Sequence, residues 1–384
     1  MPCMTNPKRC DRLSRRQFLA SSGAALTTGL AGEAWSQAAT LAPRLRLIGK
    51  TRLPHKLQFQ SATVGGLSGV DYGPASVTYY LLSDDGGIIS PPRFYTARIA
   101  LMADILGDFE LAGFTLLQGL TAPDPEAIRW HAPSQSLLWT SEGNPIKVTA
   151  TALYQTRADG SLLRTYRLPA MFDFGVLTGA RINKTLKVLA IAPDGKTAWL
   201  AMEAALRQDG NEPTLSSTGG PCRLTQIDIT SGKILRQIAY LHDVIPRAPS
   251  PPNANADNGV VEVLTLDAHR MLVLERAYMA GLDDRQRNSI RLYLIDKRQA
   301  TDTLSIASLQ PGNHTPAVKT LVADVASFPA LTRLDNSEGM CWGPMLPDNK
   351  GQPGNRTLLL VSDDNFNPRQ ITQLLAFEFI EQRP

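Results

Sequence analysis

SEGMCWGP (337–344), followed by RTLLLVSDDN (356–365), is the stretch on which the fold turns. Two short apolar runs flank a segment of Pro, Gly, Asp and Asn, the pattern of two strands joined by a connection. The second run is apolar from Leu358 to Val361 and then stops at two adjacent carboxylates, Asp363 and Asp364. An unbroken apolar run marks a strand covered on both faces, and such a strand has no evident reason to end in paired acids. The same shape recurs along the chain. LSGVDYG (67–73) precedes VTYYLLSDDG (77–86), PEAIRW (125–130) precedes SLLWTSEGN (136–144), LKVLAIAPDG (186–195) precedes TAWLAMEAAL (197–206), and VVEVLTLD (260–267) precedes RMLVLERAY (270–278).

The interval from the head of the first strand to the acid ending the second is nearly constant. It is 16 residues from Ser68 to Asp84, from Glu126 to Glu142 and from Lys187 to Glu203, 13 from Glu262 to Glu275, and 25 from Glu338 to Asp363, where a loop from Pro344 to Asn355 takes up the excess. Further strands follow each pair. ALYQTRADGSLLRTYRLP (152–169) and CRLTQIDITSGKILRQIAYL (222–241) turn at Asp-Gly and Ser-Gly, and FYTARIAL (94–101), IRLYLIDK (290–297) and TQLLAFEF (372–379) are third strands of other units. Four strands per repeating unit predict an all-β chain folded as a β-propeller of four-stranded blades. Five repeats are visible, with room for a degenerate sixth. RLRLIGKTRL (44–53) is expected to supply the strand missing from the last unit and so close the ring. A β-sandwich of similar strand content would not account for the regular spacing.

The 384 residues carry a formal charge of +4, but the first 36 are expected to be lost. Ser14-Arg15-Arg16-Gln17-Phe18-Leu19 reads as a twin-arginine export motif, followed by the small, weakly apolar run Ala20–Gly32 and a cleavage site at Ala34-Trp35-Ser36. This predicts a signal peptide over 1–36, a single domain over 37–384, and a periplasmic or secreted, monomeric product. Residues 1–36 hold five of the 39 basic and two of the 35 acidic side chains, leaving 34 and 33. That balance offers no case for a nucleic-acid partner, and no other segment has the ~20 apolar residues of a membrane span. Cys3 and Cys10 leave with the signal, so Cys222 and Cys341 remain, either paired or as buried thiols.

In an antiparallel hairpin the start of one strand lies beside the end of the next. In a propeller these two strands are the innermost of each blade. Asp84, Asp85, Glu126, Glu142, Glu203, Glu262, Glu275, Glu338, Asp363 and Asp364 are therefore expected around one mouth of the central channel. Like charges ~4 Å apart repel by about 4 kcal/mol at an effective dielectric near 20. Raised pKa values, basic partners such as Arg93, Lys187, Arg276 and Arg369, or a bound cation must offset this. Oxygen-only donors suit a hard cation, calcium ahead of magnesium. Taken singly, any of these acids could instead cap a turn through its own backbone.

LDNSEGMCWGP (334–344) with RTLLLVSDDNFNPRQITQLLAFEF (356–379), and VVEVLTLDAHRMLVLERAY (260–278), closely resemble segments of the phytase-like family described by an esterase-like activity of phytase. The likeness runs from about Lys50 to Phe379. It implies an exported propeller and phosphoester hydrolysis, with calcium as the expected cofactor and a small, phosphorylated substrate. Lys187-Val188 and Ser68-Gly69 depart from the Glu-Gly usual in the family at those places. Under this reading Asp84, Asp85, Glu142, Glu203, Glu275, Asp363 and Asp364 hold the metal. Glu338, Glu262 and Glu126 are the catalytic candidates, and Arg276, Arg369, Lys187 and Asn365 hold the substrate. The alternatives are a non-catalytic periplasmic binding propeller with structural calcium, and a lactonase-type hydrolase. A serine esterase is disfavoured: there is no G-x-S-x-G, and none of His55, His131, His242, His269 and His314 lies in a triad context. The Pro-rich run IPRAPSPPNANADNG (245–259) reads as a surface insertion or a lid over the channel.

Overall fold

The computed structural model describes residues 42–121, 123–147, 149–347 and 353–381. The export motif and its cleavage site lie outside them. The strands are β1 (Arg44–Arg52), the short pair β2 (Gln58–Phe59) and β3 (Ala62–Thr63), and then four to a unit. The first unit holds β4 (Leu67–Gly73), β5 (Thr78–Ser83), β6 (Arg93–Leu101) and β7 (Leu106–Leu116). The second holds β8 (Pro125–His131), β9 (Ser136–Ser141), β10 (Ala152–Arg157) and β11 (Leu162–Tyr166). The third holds β12 (Leu186–Ile191), β13 (Thr197–Met202), β14 (Cys222–Asp228) and β15 (Ile234–Tyr240). The fourth holds β16 (Ala256–Thr265), β17 (Arg270–Met279), β18 (Asn288–Asp296) and β19 (Val318–Asp324). The fifth holds β20 (Asn336–Pro347), β21 (Pro353–Asp363) and β22 (Gln373–Ile380), and β1 pairs antiparallel with β22 as its outermost strand. The described residues thus form a β-propeller of five four-stranded blades.

Strand alternation explains the unbroken apolar runs. Side chains of β21 point alternately to two neighbours: Leu358 and Leu360 join the fourth blade's Leu272 and Leu274, while Leu359 and Val361 join the first blade's Leu81 and Tyr95. In β5, Leu81 faces the fifth blade and Leu82 the second, where it meets Ile128 and Trp139. Leu138 and Leu200 pack between the second and third blades, and Ala201 and Val273 between the third and fourth. Five apolar seams therefore alternate with five blades around a ring. A residue facing water on either side would remove one seam's contacts, so both parities of an inner strand must be apolar.

The inner hairpins share one irregularity. Leu67 pairs with Ser83 and Gly69 with Leu82, leaving Ser68 extra. Leu186 pairs with Met202 and Val188 with Ala201, leaving Lys187. Ser337 pairs with Ser362 and Gly339 with Val361, leaving Glu338. The second blade has the same shift across Glu126 and Ala127, and the fourth leaves Val261 between Val260 and Glu262. A bulge re-aims the side chain it frees. Gly69 and Gly339 follow it because a Cβ there would lie 2.6 Å from the Glu126 carbonyl oxygen and 2.8 Å from that of Ser68, each on the neighbouring blade. The 25-residue interval of the last unit comes largely from longer strands, since β20 reaches Pro347 and β21 begins at Pro353, with further register shifts between them. Cys222 and Cys341 are buried and free. Among the described residues no helix is long and apolar enough to cross a membrane.

Candidate active site at the acidic mouth

The bulges deliver Glu126, Lys187 and Glu338 to one end of the channel. There they line a cavity of about 590 Å³ with Asp84, Glu142, Glu203 and Arg276. Asp84, Glu338 and Asp363 each place a carboxylate oxygen within 4.8 Å of the others, the one such group among the described residues. At that separation each pair of charges costs about 3 kcal/mol at an effective dielectric near 20. Burial, then Glu338, pushes Asp363 up to about 8; burial, then Asp363, Glu126 and Glu338, raises Asp84. Three carboxylates this close, with no histidine or thiol among them, are the oxygen donor set that a hard divalent ion takes.

The rest of the mouth carries its own cations. Lys187 Nζ lies 2.9 Å from Glu126 Oε2, 3.5 Å from Glu338 Oε2 and 4.0 Å from Glu142 Oε1. The Arg276 guanidinium stands 3.1 Å from Glu338 and 3.6 Å from Glu203, and Lys184 Nζ 3.1 Å from Glu203 and 3.0 Å from Asp257. The acids respond differently. Burial raises Glu126 above the usual carboxylate range and takes Glu142 to about 7 against the pull of Lys187. For Glu203 burial is overcome by Lys184, Arg276 and Lys187, and it falls to about 2. Arg276 is 9% exposed, and its Nε–H has no acceptor.

The paired acids divide their work. Asp84 lines the cavity and Asp363 stands in the group with Asp84 and Glu338 while also accepting the Asn365 N–H at 2.7 Å, whereas Asp85 and Asp364 fasten loops. Asp85 accepts the N–H groups of Ile88 (2.8 Å), Ile89 (2.9 Å) and Ser90 (2.7 Å) and pairs with Arg93 at 2.9 Å. Asp364 accepts the N–H groups of Gly66 (3.0 Å) and Phe366 (3.1 Å) and lies 3.3 Å from His55 Nδ1. Neither lines the cavity. Asp85→Ala is expected to destabilise the fold by about 3 kcal/mol, since it leaves buried Arg93 without its carboxylate partner. Urea unfolding checks this, and a native midpoint in the variant would remove the anchoring role.

Two further expected members stand elsewhere. Glu275 pairs with Val260, not with Glu262, and accepts from Tyr240, Asn258 and Lys319 between the third and fourth blades. Its neighbour Arg276 takes the channel-facing parity. The 13-residue spacing of that unit was the sign, because the bulge residue is Val261, one place before Glu262. Glu262 lies deeper, 2.6 Å from Arg129, and burial takes it to about 7. Arg369, Asn365 and Lys187 line the cavity, and Arg93 does not. Asp124, Lys184, Asp257, Arg287 and Asn336 also line it and were not singled out from the sequence. For Asp124, Lys184, Asp257 and Asn336 the signal was an Asp, Asn or Lys two to four residues ahead of a bulge, a pattern that the first blade lacks and that does not reach Arg287. The Pro-rich run ends at the cavity through Asn255 and Asp257. None of the five histidines lines it.

The family model "Phytase-like: Esterase-like activity of phytase" matches residues 62–366. The chain belongs to the phytase-like family. This membership supports a hydrolase-type propeller. No curated protein matches the phytase-like chain. Among solved structures it is similar to Kuenenia stuttgartiensis hydrazine synthase at 12% identity and a TM-score of 0.34, over 77% of this chain and 64% of that one. The chain thus spans less than two thirds of that protein.

Proposed function

We propose that this phytase-like propeller is an exported hydrolase of phosphoesters that works with one divalent cation, calcium first, at the acidic mouth. The observation that carries this reading is the convergence of Asp84, Glu338 and Asp363 beside a cationic wall of Lys187, Arg276 and Lys184. The three carboxylates would hold the ion, which supplies neutralisation of phosphate charge and an acidified water when bound. Arg276 offers its unpaired Nε–H to a phosphate oxygen, and Lys184 and Arg369 add positive charge at the same cavity. Glu142 is the side chain suited to hold and release a proton near neutrality, because burial brings it to about 7. Glu126 and Glu338 position Lys187 between them.

Equilibrium dialysis and a phosphomonoester and phosphodiester screen test the reading together. The native protein is expected to bind one calcium. Asp363→Asn should weaken that binding by about tenfold or more, the loss of one charged ligand being worth ~1.5–3 kcal/mol, and hydrolysis should fall in parallel. Absence of calcium binding would overturn the metal site. Binding without turnover of any ester would leave a binding propeller instead.

A further inference from the structure

The channel has a second mouth, opposite the acidic one. Along β8 the order is Glu126 at the acidic end, Arg129 within the channel and Trp130 at the other end. Arg129 donates to the carbonyls of Val70 (2.9 Å), Ile128 (2.7 Å) and Met340 (3.2 Å) and pairs with Glu262 at 2.6 Å, so it bolts together inner strands of four blades. Beyond it opens a cavity of about 520 Å³ lined by Asp71, Tyr72, Trp130, Trp342 and Arg356. Arg129 lines this cavity too. Its side chain is 3% exposed, and its enclosed Nε–H has no acceptor. An enclosed N–H without a partner costs free energy that an incoming oxygen would recover.

The aromatic walls are held in place before any ligand arrives. Trp130 stacks on Tyr80 with ring centroids 5.3 Å apart, and Trp342 Nε1 donates to the Thr265 carbonyl at 3.0 Å while packing edge-on to Phe379. Arg356 lies over the Trp342 ring, 5.3 Å from its centroid. Asp71 accepts the backbone N–H of Trp130 at 2.6 Å and lines the same cavity as these rings. Asp71 faces Arg129 and Arg356 across the cavity, and Glu262 takes up the Arg129 charge from the channel side. The cavity therefore offers both an acceptor and donors to one ligand. A hydroxyl group accepts from an arginine N–H and donates to a carboxylate at once, and a ring bearing several hydroxyls also has an apolar C–H face to lay on an indole.

We propose that this second mouth is a binding site for a neutral hexose ring, stacked on Trp130 or Trp342 and hydrogen-bonded to Asp71 and Arg129. The site stands apart from the acidic mouth and does not depend on its chemistry.

Intrinsic tryptophan fluorescence of the full protein, titrated with methyl hexosides and with a linear hexose oligosaccharide, tests it. Saturable change in the millimolar range is expected, and tighter binding of the oligosaccharide would mark a chain rather than a free sugar as the ligand. Trp342→Ala and Asp71→Asn should each weaken binding by about tenfold, one lost partner being worth ~1–3 kcal/mol. Tyr72→Phe serves as a milder third variant should either of those fail to fold, and thermal unfolding reports on folding. Glu338→Gln and calcium chelation should leave sugar binding unchanged. No saturable change with any neutral sugar, stronger binding of a hexuronate or of indole, or native affinity in folded Trp342→Ala would overturn the proposal.

Discussion

Arg129→Met should destabilise the propeller by about 3–5 kcal/mol, the usual loss when one partner of a buried ion pair is removed. Arg129 and Glu262 have side chains only 3% and 1% exposed, and their 2.6 Å pairing spans the channel between the second and fourth blades. The guanidinium also satisfies carbonyls on β4, β8 and β20, which would lose a charged donor together. The loss should depend on pH. Burial already lifts Glu262 to about 7 with Arg129 beside it, and without the arginine the carboxyl must rise further or ionise alone. Below pH 5 it can stay protonated, so the destabilisation shrinks; at pH 8 it is largest. Adding Glu262→Leu to Arg129→Met should restore part of the lost stability, since no buried charge then remains. Urea midpoints of both variants at pH 5 and pH 8 are the measurement. A single variant within 1 kcal/mol of native at pH 8, by the scale of surface substitutions, would sink the idea of a central bolt.

Calcium should raise the melting temperature more at pH 8 than at pH 5, by roughly 5 °C or more. The sign follows from the raised acids. Asp363 at about 8 and Glu142 at about 7 stand above their unfolded values near 4. Between pH 4 and pH 8 the folded chain therefore binds more protons than the unfolded one, and metal-free stability declines as pH rises. Glu203, held at about 2, acts oppositely, and the stability it adds is lost only as pH falls from 4 towards 2. A cation seated among these carboxylates would favour the ionised forms of Asp84 and Asp363, so its binding should strengthen in the same window where the metal-free protein weakens. Differential scanning calorimetry with calcium or with chelator at the two pH values separates the effects. An equal calcium increment at both would remove the carboxylate trio as the ion's seat.

The blade repeat was legible because an inner propeller strand must be apolar at both parities. TYYLL, LLLV and RMLVL announce burial on two faces in any reading of the chain. The acids at the strand ends were legible as a set for a related reason, since hairpin geometry returns strand ends to strand starts whatever the outer strands do. Which acid of each pair faces the channel was not legible. Asp84 and Asp85 differ by one residue, hence by one face, and only the loop built on the N–H groups of Ile88, Ile89 and Ser90 assigns Asp85 to itself.

Glu275 and Arg276 make the same point from the other side. Their letters suggested an acid at the rim, and the register of β16 on β17 puts the arginine there instead. Sequence by itself determined the class of fold, the repeating unit and the oxygen-rich chemistry of one mouth, and left five or six blades open. These follow from periodicity and composition, which are local. Tertiary structure alone decided which carboxylates meet, that Lys187 and Arg276 stand among them, and that Arg129 divides the acidic mouth from an aromatic one. Those outcomes depend on bulges, parity and distances between blades, which arise when five distant segments share one channel.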